Sequence, residues 1–213
     1  MAVTASAATQ SNAGTSGEEY EVIDYDPIPD YAYMLKNLGL FKGTDNGFEL
    51  DRAPTRVEAL VLLIRTLGKE DEIEREDLEK HPFTDVPAWA DNYVSYAYMM
   101  GYTNGISETK FGSRNEISSH QFITFMLRAL GYNDAEGDFH WSSAGQAAEN
   151  LDAVYGYADA SGEEFLRYNC VDIITQILSV NMKDEEITLI EYLINAGAVD
   201  SKIASDYGLI DSY

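Results

Sequence analysis

The sequence predicts an all-α fold with minor short extended segments. Three observations support this: the chain repeats itself, apolar residues within each copy recur at helical spacing, and capping signals mark where helices begin and end. With 213 residues, 45% of them hydrophobic, the chain is long enough to bury a core without disulfides.

The internal repeat is visible from residues that recur at a fixed separation. Three pairs are 63 positions apart: Phe48 and Phe111, Arg65 and Arg128, and Gly68 and Gly131. Gly43 and Gly105 are 62 apart, so the second copy has one more residue in the loop that follows. Each copy reads as a helix, a glycine-rich turn, a short extended segment and a second helix.

The second helix of each copy carries its own start signal. Thr55 and Glu58 form the T-x-x-E pattern of a capping box, and Ser118 and Gln121 form the S-x-x-Q version at the same offset. A third, more divergent copy follows, and a capping box at Ser161 and Glu164 predicts that its second helix starts about two turns early.

The predicted organisation has six parts. Residues 1–18 form a disordered tail, which could be a signal-peptide remnant or an arbitrary flexible end. The remaining parts are repeats at 19–70, 83–133 and 134–182, a charged insertion at 71–82 that suits a loop or short exposed helix, and a helical C-terminal extension at 183–213. The extension reads as one helix that ends near Gly197 and a short second helix.

Composition excludes several classes of function. The 37 acidic and 14 basic residues give a formal net charge of −23, which argues against binding nucleic acid or an anionic membrane surface. No apolar stretch approaches the ~20 residues that span a bilayer, so we expect no membrane insertion. Cys170 lies in an apolar helical run and reads as a core residue. The histidines are isolated and no catalytic motif is present, so we expect no enzyme and no cofactor.

A family resemblance rests on residues 83–118, "FTDVPAWADNYVSYAYMMGYTNGISETKFGSRNEIS". Their F-x-D-V, tryptophan, glycine and phenylalanine landmarks, together with "TRVE" at 55–58, resemble the S-layer homology family. The resemblance implies a pseudo-threefold helical bundle of three repeats, with grooves between neighbouring repeats near the signature arginines. It also implies a secreted, cell wall or S-layer associated protein that binds a secondary cell wall polymer, often through a pyruvylated sugar.

Arg56 is the leading candidate for binding such a polymer. A cation in the first turn of a helix opposes the helix dipole, so folding does not explain it. Beside free N-terminal amides, however, a guanidinium can clamp a carboxylate through two hydrogen bonds. We therefore expect Arg56→Ala to abolish most binding with little change in thermal stability.

The other candidate ligand-binding residues carry structural alternatives. Trp89 is either a platform for a sugar face or a core anchor. Asp85 either accepts sugar hydroxyls or, as we prefer, caps its own helix. Gly105 belongs to the glycine-rich turn. In the second copy Ser119 and His120 stand at the arginine position, and a protonated His120 could supply a second clamp.

The third copy aligns Asn169 with Arg56, or Tyr168 after a one-residue shift, with Arg167 nearby. The sequence therefore predicts at most one groove with the anion clamp.

An alternative function is a protein-interaction or surface-assembly scaffold with no glycan binding and with protein partners at the cell surface. A groove plugged by side chains or by residues 183–213 would favour the scaffold, whereas an open groove lined by both Arg56 and Trp89 would favour the glycan binder.

Overall fold

The computed structural model describes residues 26–74, 77–159 and 162–211, so the predicted tail at 1–18 lies outside the described residues. Eight α-helices form in these ranges: α1 (Ile28–Asn37), α2 (Arg56–Thr66), α3 (Asp91–Met99), α4 (Ser119–Ala129), α5 (Ala144–Asn150), α6 (Arg167–Ile177), α7 (Leu189–Asn195) and α8 (Ser201–Asp206). Short 3₁₀ helices cover Glu70–Glu74, Ala88–Ala90 and Trp141–Ser143. Extended residues in the described ranges pair only through isolated bridges, which confirms the all-α prediction.

The helices pack in a cyclic order. The first helix of each predicted repeat lies against the second helix of the repeat before it: α3 against α2, α5 against α4, and α1 against α6. The central helix α4 also contacts α2 and α6. This closed order is what a bundle of three repeats requires. The pseudo-threefold symmetry itself and the exact repeat boundaries stay predictions.

The starts of α2 and α4 follow their capping signals. Glu58 Oε2 accepts from the Thr55 N–H at 2.8 Å, and Thr55 Oγ1 accepts from the Glu58 N–H at 3.4 Å, which completes the predicted capping box. At α4 the Ser118 hydroxyl accepts from the Gln121 N–H at 3.3 Å. Both helices therefore begin at the residue that local sequence predicts.

The start of α6 corrects the prediction for the third copy. The helix begins at Arg167, and the residues from 162 to 166 are not helical; Ser161 lies outside the described residues. The Arg167 and Tyr168 N–H groups donate to the carbonyls of Arg52 and Leu50, both at 2.9 Å. Because the first repeat satisfies these two amides, the chain starts the helix there rather than at the predicted box.

Apolar side chains from all eight helices form one core. Phe41, Phe111, Phe122 and Phe125 are among its largest fully buried members. Cys170 is fully buried as predicted, and burial raises the pKa of its thiol above the ordinary value.

The charged insertion and the C-terminal extension are both attached to this bundle. The insertion opens with the 3₁₀ helix Glu70–Glu74, which packs against α3 and buries Ile73, so it is less exposed than expected. The extension contains α7 and α8, the two helices expected there. It joins the end of α4 through a 2.7 Å hydrogen bond from the Lys183 N–H to the Leu130 carbonyl.

Candidate functional site

An open groove runs along α4 between parts of all three predicted repeats. We call it the first groove; its cavity measures about 450 Å³. The start of α2, the glycine turn after α3, the exposed side of α4 and the 3₁₀ helix before α5 form its walls. Its principal lining residues are Arg56, Gly105, Gln121, Phe125, Arg128 and Trp141.

Arg56 reaches this groove from beneath the surface. It is only 6% exposed, and its guanidinium lies over two aromatic rings, 5.1 Å from the centre of Phe111 and 4.8 Å from that of Phe125. Its Nη2 donates a long 3.4 Å hydrogen bond to Thr103 Oγ1. Its Nε is buried and has no hydrogen-bond partner within the described part of the chain. A buried cation with an unused donor is costly for folding, which points to a role in binding.

The backbone amides beside Arg56 are not free, contrary to expectation. The Arg56 N–H donates to the Asn115 carbonyl at 2.8 Å, and the Val57 N–H donates to the Ser113 carbonyl at 3.4 Å. Thr55 Oγ1 takes the third amide, that of Glu58. The loop of the second repeat thus consumes the donors of the helix N-terminus, and only the guanidinium remains to hold an anion.

The electrostatics of the first groove centre on two arginines. Burial, and then the neighbouring charge of Arg128, lower the pKa of Arg56 to about 10, so it remains charged at neutral pH. Arg128 is held by Asp134 in a bidentate pair, with Nε–Oδ1 at 2.7 Å and Nη2–Oδ2 at 2.8 Å. Hydrogen bonds from Arg128 lower the pKa of Asp134, although burial opposes them. Arg128 is therefore occupied, and Arg56 is the cation with spare donor capacity.

Trp141 supplies the aromatic face of the first groove. Its side chain is 56% exposed, and an exposed indole in a concave polar site can stack on a sugar ring. The condition that Arg56 and Trp89 line the same groove is not met, because Trp89 lines a different groove. The cyclic packing is the reason: the groove at Arg56 is closed by the start of the third repeat, not the second.

Trp89 belongs to a second groove of about 160 Å³ that runs along α2. Trp89 is 60% exposed, so it is not the core anchor considered from sequence. The lining residues that correspond to those of the first groove are Arg167, Gly43, Glu58, Leu62, Arg65 and Trp89. Arg167, like Arg56, is the first residue of its helix, so the third copy has an arginine at the position where the sequence alignment placed Asn169 or Tyr168.

The cations of the second groove all have partners within the protein. Arg167 donates from Nε to the Phe48 carbonyl at 2.9 Å and from Nη2 to the Lys42 carbonyl at 3.4 Å. Arg52 forms a bidentate pair with Glu58, at 3.0 and 3.1 Å. Glu70 accepts from Arg65 Nε at 2.8 Å and from Lys42 Nζ at 2.5 Å. The two grooves thus share a layout but differ in whether the arginine is already satisfied.

The remaining helix start lacks the cationic pattern. Ser119, the first residue of α4, is buried and polar rather than charged. His120 follows it and lines neither groove, so the structure does not place it as a second clamp. On α6 the positions equivalent to Arg128 and Thr124 are Gln176 and Asp172, which hydrogen-bond to the Tyr155 N–H and the Tyr157 hydroxyl.

Gly105 lines the first groove, whereas Asp85 lies outside its lining. The Asp85 carboxylate accepts from the Phe111 and Gly112 N–H groups at 2.8 and 2.9 Å. Burial alone would raise its pKa, but these bonds outweigh burial and lower it. Asp85 therefore does not cap its own helix, whose preceding residue is Pro87. Gly105 lies in the groove wall at φ +72°, and Phe83 and the Lys110 carbonyl leave no room for a Cβ.

Two signals in the sequence could have found the residues that were missed. The chain contains two tryptophans, and each stands just before the first helix of a repeat. The position that makes Trp89 a candidate sugar platform therefore makes Trp141 one as well. Arg167 was misaligned because Ser179 follows the third copy where Gly68 and Gly131 close the other two. Aligning the helix ends at Leu67, Leu130 and Leu178 places Arg167 on Ser119.

Comparison with known proteins supports the family resemblance. The family model of the S-layer homology domain matches residues 82–118, which run from just before Phe83 to the cap of α4. The chain is 30% identical over 165 residues to a cell surface protein of Thermoanaerobacter kivui, an alignment that covers 76% of this chain and 21% of that protein.

Two further relatives come from Brevibacillus. A middle cell wall protein of Brevibacillus brevis is 30% identical over 101 residues, and a surface layer protein of Brevibacillus choshinensis is 31% identical over 101 residues. Each alignment covers 46% of this chain. The chain spans 21%, 10% and 9% of the lengths of these three relatives, so it corresponds to a small part of each of them.

These findings define the class of protein. The chain carries an S-layer homology segment in a helical bundle and is a cell-surface anchoring module, associated with the cell wall or S-layer as predicted. The names of these relatives point to a structural class of protein. Among the described residues, no helix has the length and apolar character needed to cross a bilayer.

Proposed function

We propose that the first groove binds an anionic, pyruvylated unit of a secondary cell wall polymer and so anchors the protein to the cell wall. The observation that carries this proposal is the buried Arg56, whose Nε is unused and which opens into a groove beside the exposed Trp141. A pyruvyl ketal carries one carboxylate next to a sugar ring. The guanidinium would hold the carboxylate and the indole would pack on the ring.

The net charge of the chain supports a short-range mode of binding. A formal charge of −23 repels an anionic polymer at long range, and salt screens only part of that repulsion. Binding must therefore come from contacts inside the groove. A guanidinium with spare donors in a partly dry site meets this requirement, because charge-assisted hydrogen bonds are strongest where water is excluded.

The openness of the groove favours this reading over a scaffold with no glycan affinity. No residue of the helical C-terminal extension up to residue 211, where the described part ends, lines the first or the second groove. The extension forms its own concave surface between α7 and the residues after α8. Protein partners at the cell surface remain the alternative proposal, with no groove feature that favours them.

Retention on purified cell wall tests the proposal. Sacculi of Thermoanaerobacter kivui would be offered before and after chemical removal of the secondary polymer, with Trp141→Ala as a binding-site variant and Tyr155→Ala, at an exposed tyrosine that lines neither groove, as its control. We expect retention of the unchanged protein on native sacculi only, and a larger loss for Trp141→Ala than for Tyr155→Ala. Equal retention on stripped and native sacculi would rule out polymer recognition.

A further inference from the structure

Among the corresponding lining residues of the two grooves, one position differs in charge. The third residue of the groove helix is Gln121 in the first groove and Glu58 in the second. One is an uncharged amide and the other a carboxylate whose pKa is lowered; burial would raise it, but hydrogen bonds from Arg52 and Thr55 outweigh burial. Glu58 is therefore charged at neutral pH.

A second carboxylate would be repelled in the second groove. Glu58 already neutralises Arg52 through two hydrogen bonds, and its charge also acts on Arg167. Arg167 has in addition given two donors to backbone carbonyls. An incoming anion would have to displace Glu58 or lie beside it, and like charges in contact cost several kcal/mol in an interface.

An uncharged sugar meets no such obstacle. Trp89 offers an exposed indole face, and the Glu58 carboxylate, which has lone pairs to spare, can accept hydrogen bonds from hydroxyl groups. Lys42 and the backbone of Gly43 and Thr44 complete a polar rim. Lys42, Arg52 and Arg65 are ion-paired and Arg167 is held by backbone carbonyls, so a neutral ligand can bind without breaking these contacts.

Given the proposed function of the first groove, on which this step rests, we infer that the second groove binds an uncharged sugar of the same polymer and rejects the pyruvylated unit. The residue at the third position of the groove helix decides this difference. Gln121 admits a carboxylate, and Glu58 excludes it. The chain would then read two different sugar units with two grooves of one design.

The two tryptophans allow each groove to be observed separately. Trp89→Phe leaves Trp141 as the fluorophore of the first groove, and Trp141→Phe leaves Trp89 as that of the second, because the chain has two tryptophans in all. Each variant would be titrated with soluble polymer released from Thermoanaerobacter kivui cell wall, either native or depyruvylated. We expect Trp141 to respond to native polymer and at least about tenfold more weakly to depyruvylated polymer, and Trp89 to respond to both with similar affinity.

Exchanging glutamate and glutamine between the two grooves tests the role of this position directly. Glu58→Gln should give the second groove a preference for native polymer, and Gln121→Glu should weaken native polymer in the first groove by at least about tenfold. Glutamate and glutamine both suit the third position of a capping box, so the fold is retained; thermal unfolding and circular dichroism would verify this for each variant.

The outcomes separate this inference from the proposed function. If Trp141 does not respond to native polymer, the proposed function fails. If Trp141 responds as expected but Trp89 responds to native polymer only, or to neither polymer, the assignment of an uncharged sugar to the second groove is overturned alone. Unchanged preferences after both exchanges would overturn the role given to Glu58 and Gln121.

Discussion

Replacing Arg56 by methionine should separate binding from stability. Methionine keeps an unbranched apolar stem and packs well against the rings of Phe111 and Phe125, but it removes the charge. Arg56→Ala is the poorer test, because a 6% exposed side chain leaves a cavity when it is truncated to a methyl group, and cavities destabilise whatever the function.

The structure sets the size of the expected effect. Lowering the pKa of Arg56 from 12.5 to about 10 corresponds to roughly 3 kcal/mol of lost stabilisation of the charged form, at 1.36 kcal/mol for each factor of ten. Buried charges replaced by apolar groups are often neutral or stabilising. The free energy of unfolding of Arg56→Met should therefore be unchanged or higher, by up to about 3 kcal/mol.

Binding should change in the opposite direction. Loss of charge-assisted hydrogen bonds of about 1.5–3 kcal/mol weakens affinity about tenfold to a hundredfold. Denaturant unfolding measures the first quantity, and titration with native polymer measures the second. Arg114→Met, at an exposed arginine, is the matched control and should change neither. If Arg56→Met is destabilised by more than about 2 kcal/mol or binds polymer normally, the proposal that Arg56 binds the carboxylate of the polymer is refuted.

Three further predictions follow from the geometry. Gly105→Ala should lower the free energy of unfolding by about 1–3 kcal/mol in a denaturant titration, because φ is +72° and the new Cβ would lie 2.7 Å from the Lys110 carbonyl oxygen and overlap Phe83. Asp85→Asn should cost about 1 kcal/mol, since an amide oxygen replaces two carboxylate oxygens that each accept one N–H; because the pKa of Asp85 is lowered by folding, the difference from the unchanged protein should vanish as the pH falls below the folded-state pKa. Polymer binding should decline as the pH rises through about 10, where Arg56 loses its proton, and a titration series across that range would show a flat profile if Arg56 were not the clamp. Burying the charged form of Arg56 lowers the free energy of unfolding below about pH 10. This cost declines as Arg56 loses its proton above that pH, so the stability advantage of Arg56→Met should shrink there.

Local rules predicted much of the fold from sequence. The capping residues Thr55 and Glu58 are three positions apart and act within one turn, so their pattern identified the start of α2 and its hydrogen bonds. Apolar residues at helical spacing were likewise predicted in each copy, and in α4 they form the buried face that includes Phe122 and Phe125. These features depend on neighbours in the chain, which a sequence displays directly.

The content of the grooves depends on contacts that the sequence does not display. Arg56 and Trp141 are 85 residues apart in the numbering and meet because the first helix of each repeat packs on the repeat before it. The loop that takes the amides of α2 comes from the second repeat, so no local pattern showed that these donors were already used. The sequence singled out Arg56 because a cation in the first turn opposes the helix dipole, but its burial was not foreseen.

The central claim is that the Arg56 guanidinium receives the carboxylate of the polymer, and arginine side-chain NMR tests it most directly. A ¹H–¹⁵N spectrum of the arginine Nε–H groups, with the Arg56 signal assigned by its absence in Arg56→Met, would be followed as native polymer is added. We predict a large downfield shift of the Arg56 signal, little change for Arg167, and no shift with depyruvylated polymer. Polymer binding that leaves the Arg56 signal in place would contradict the claim.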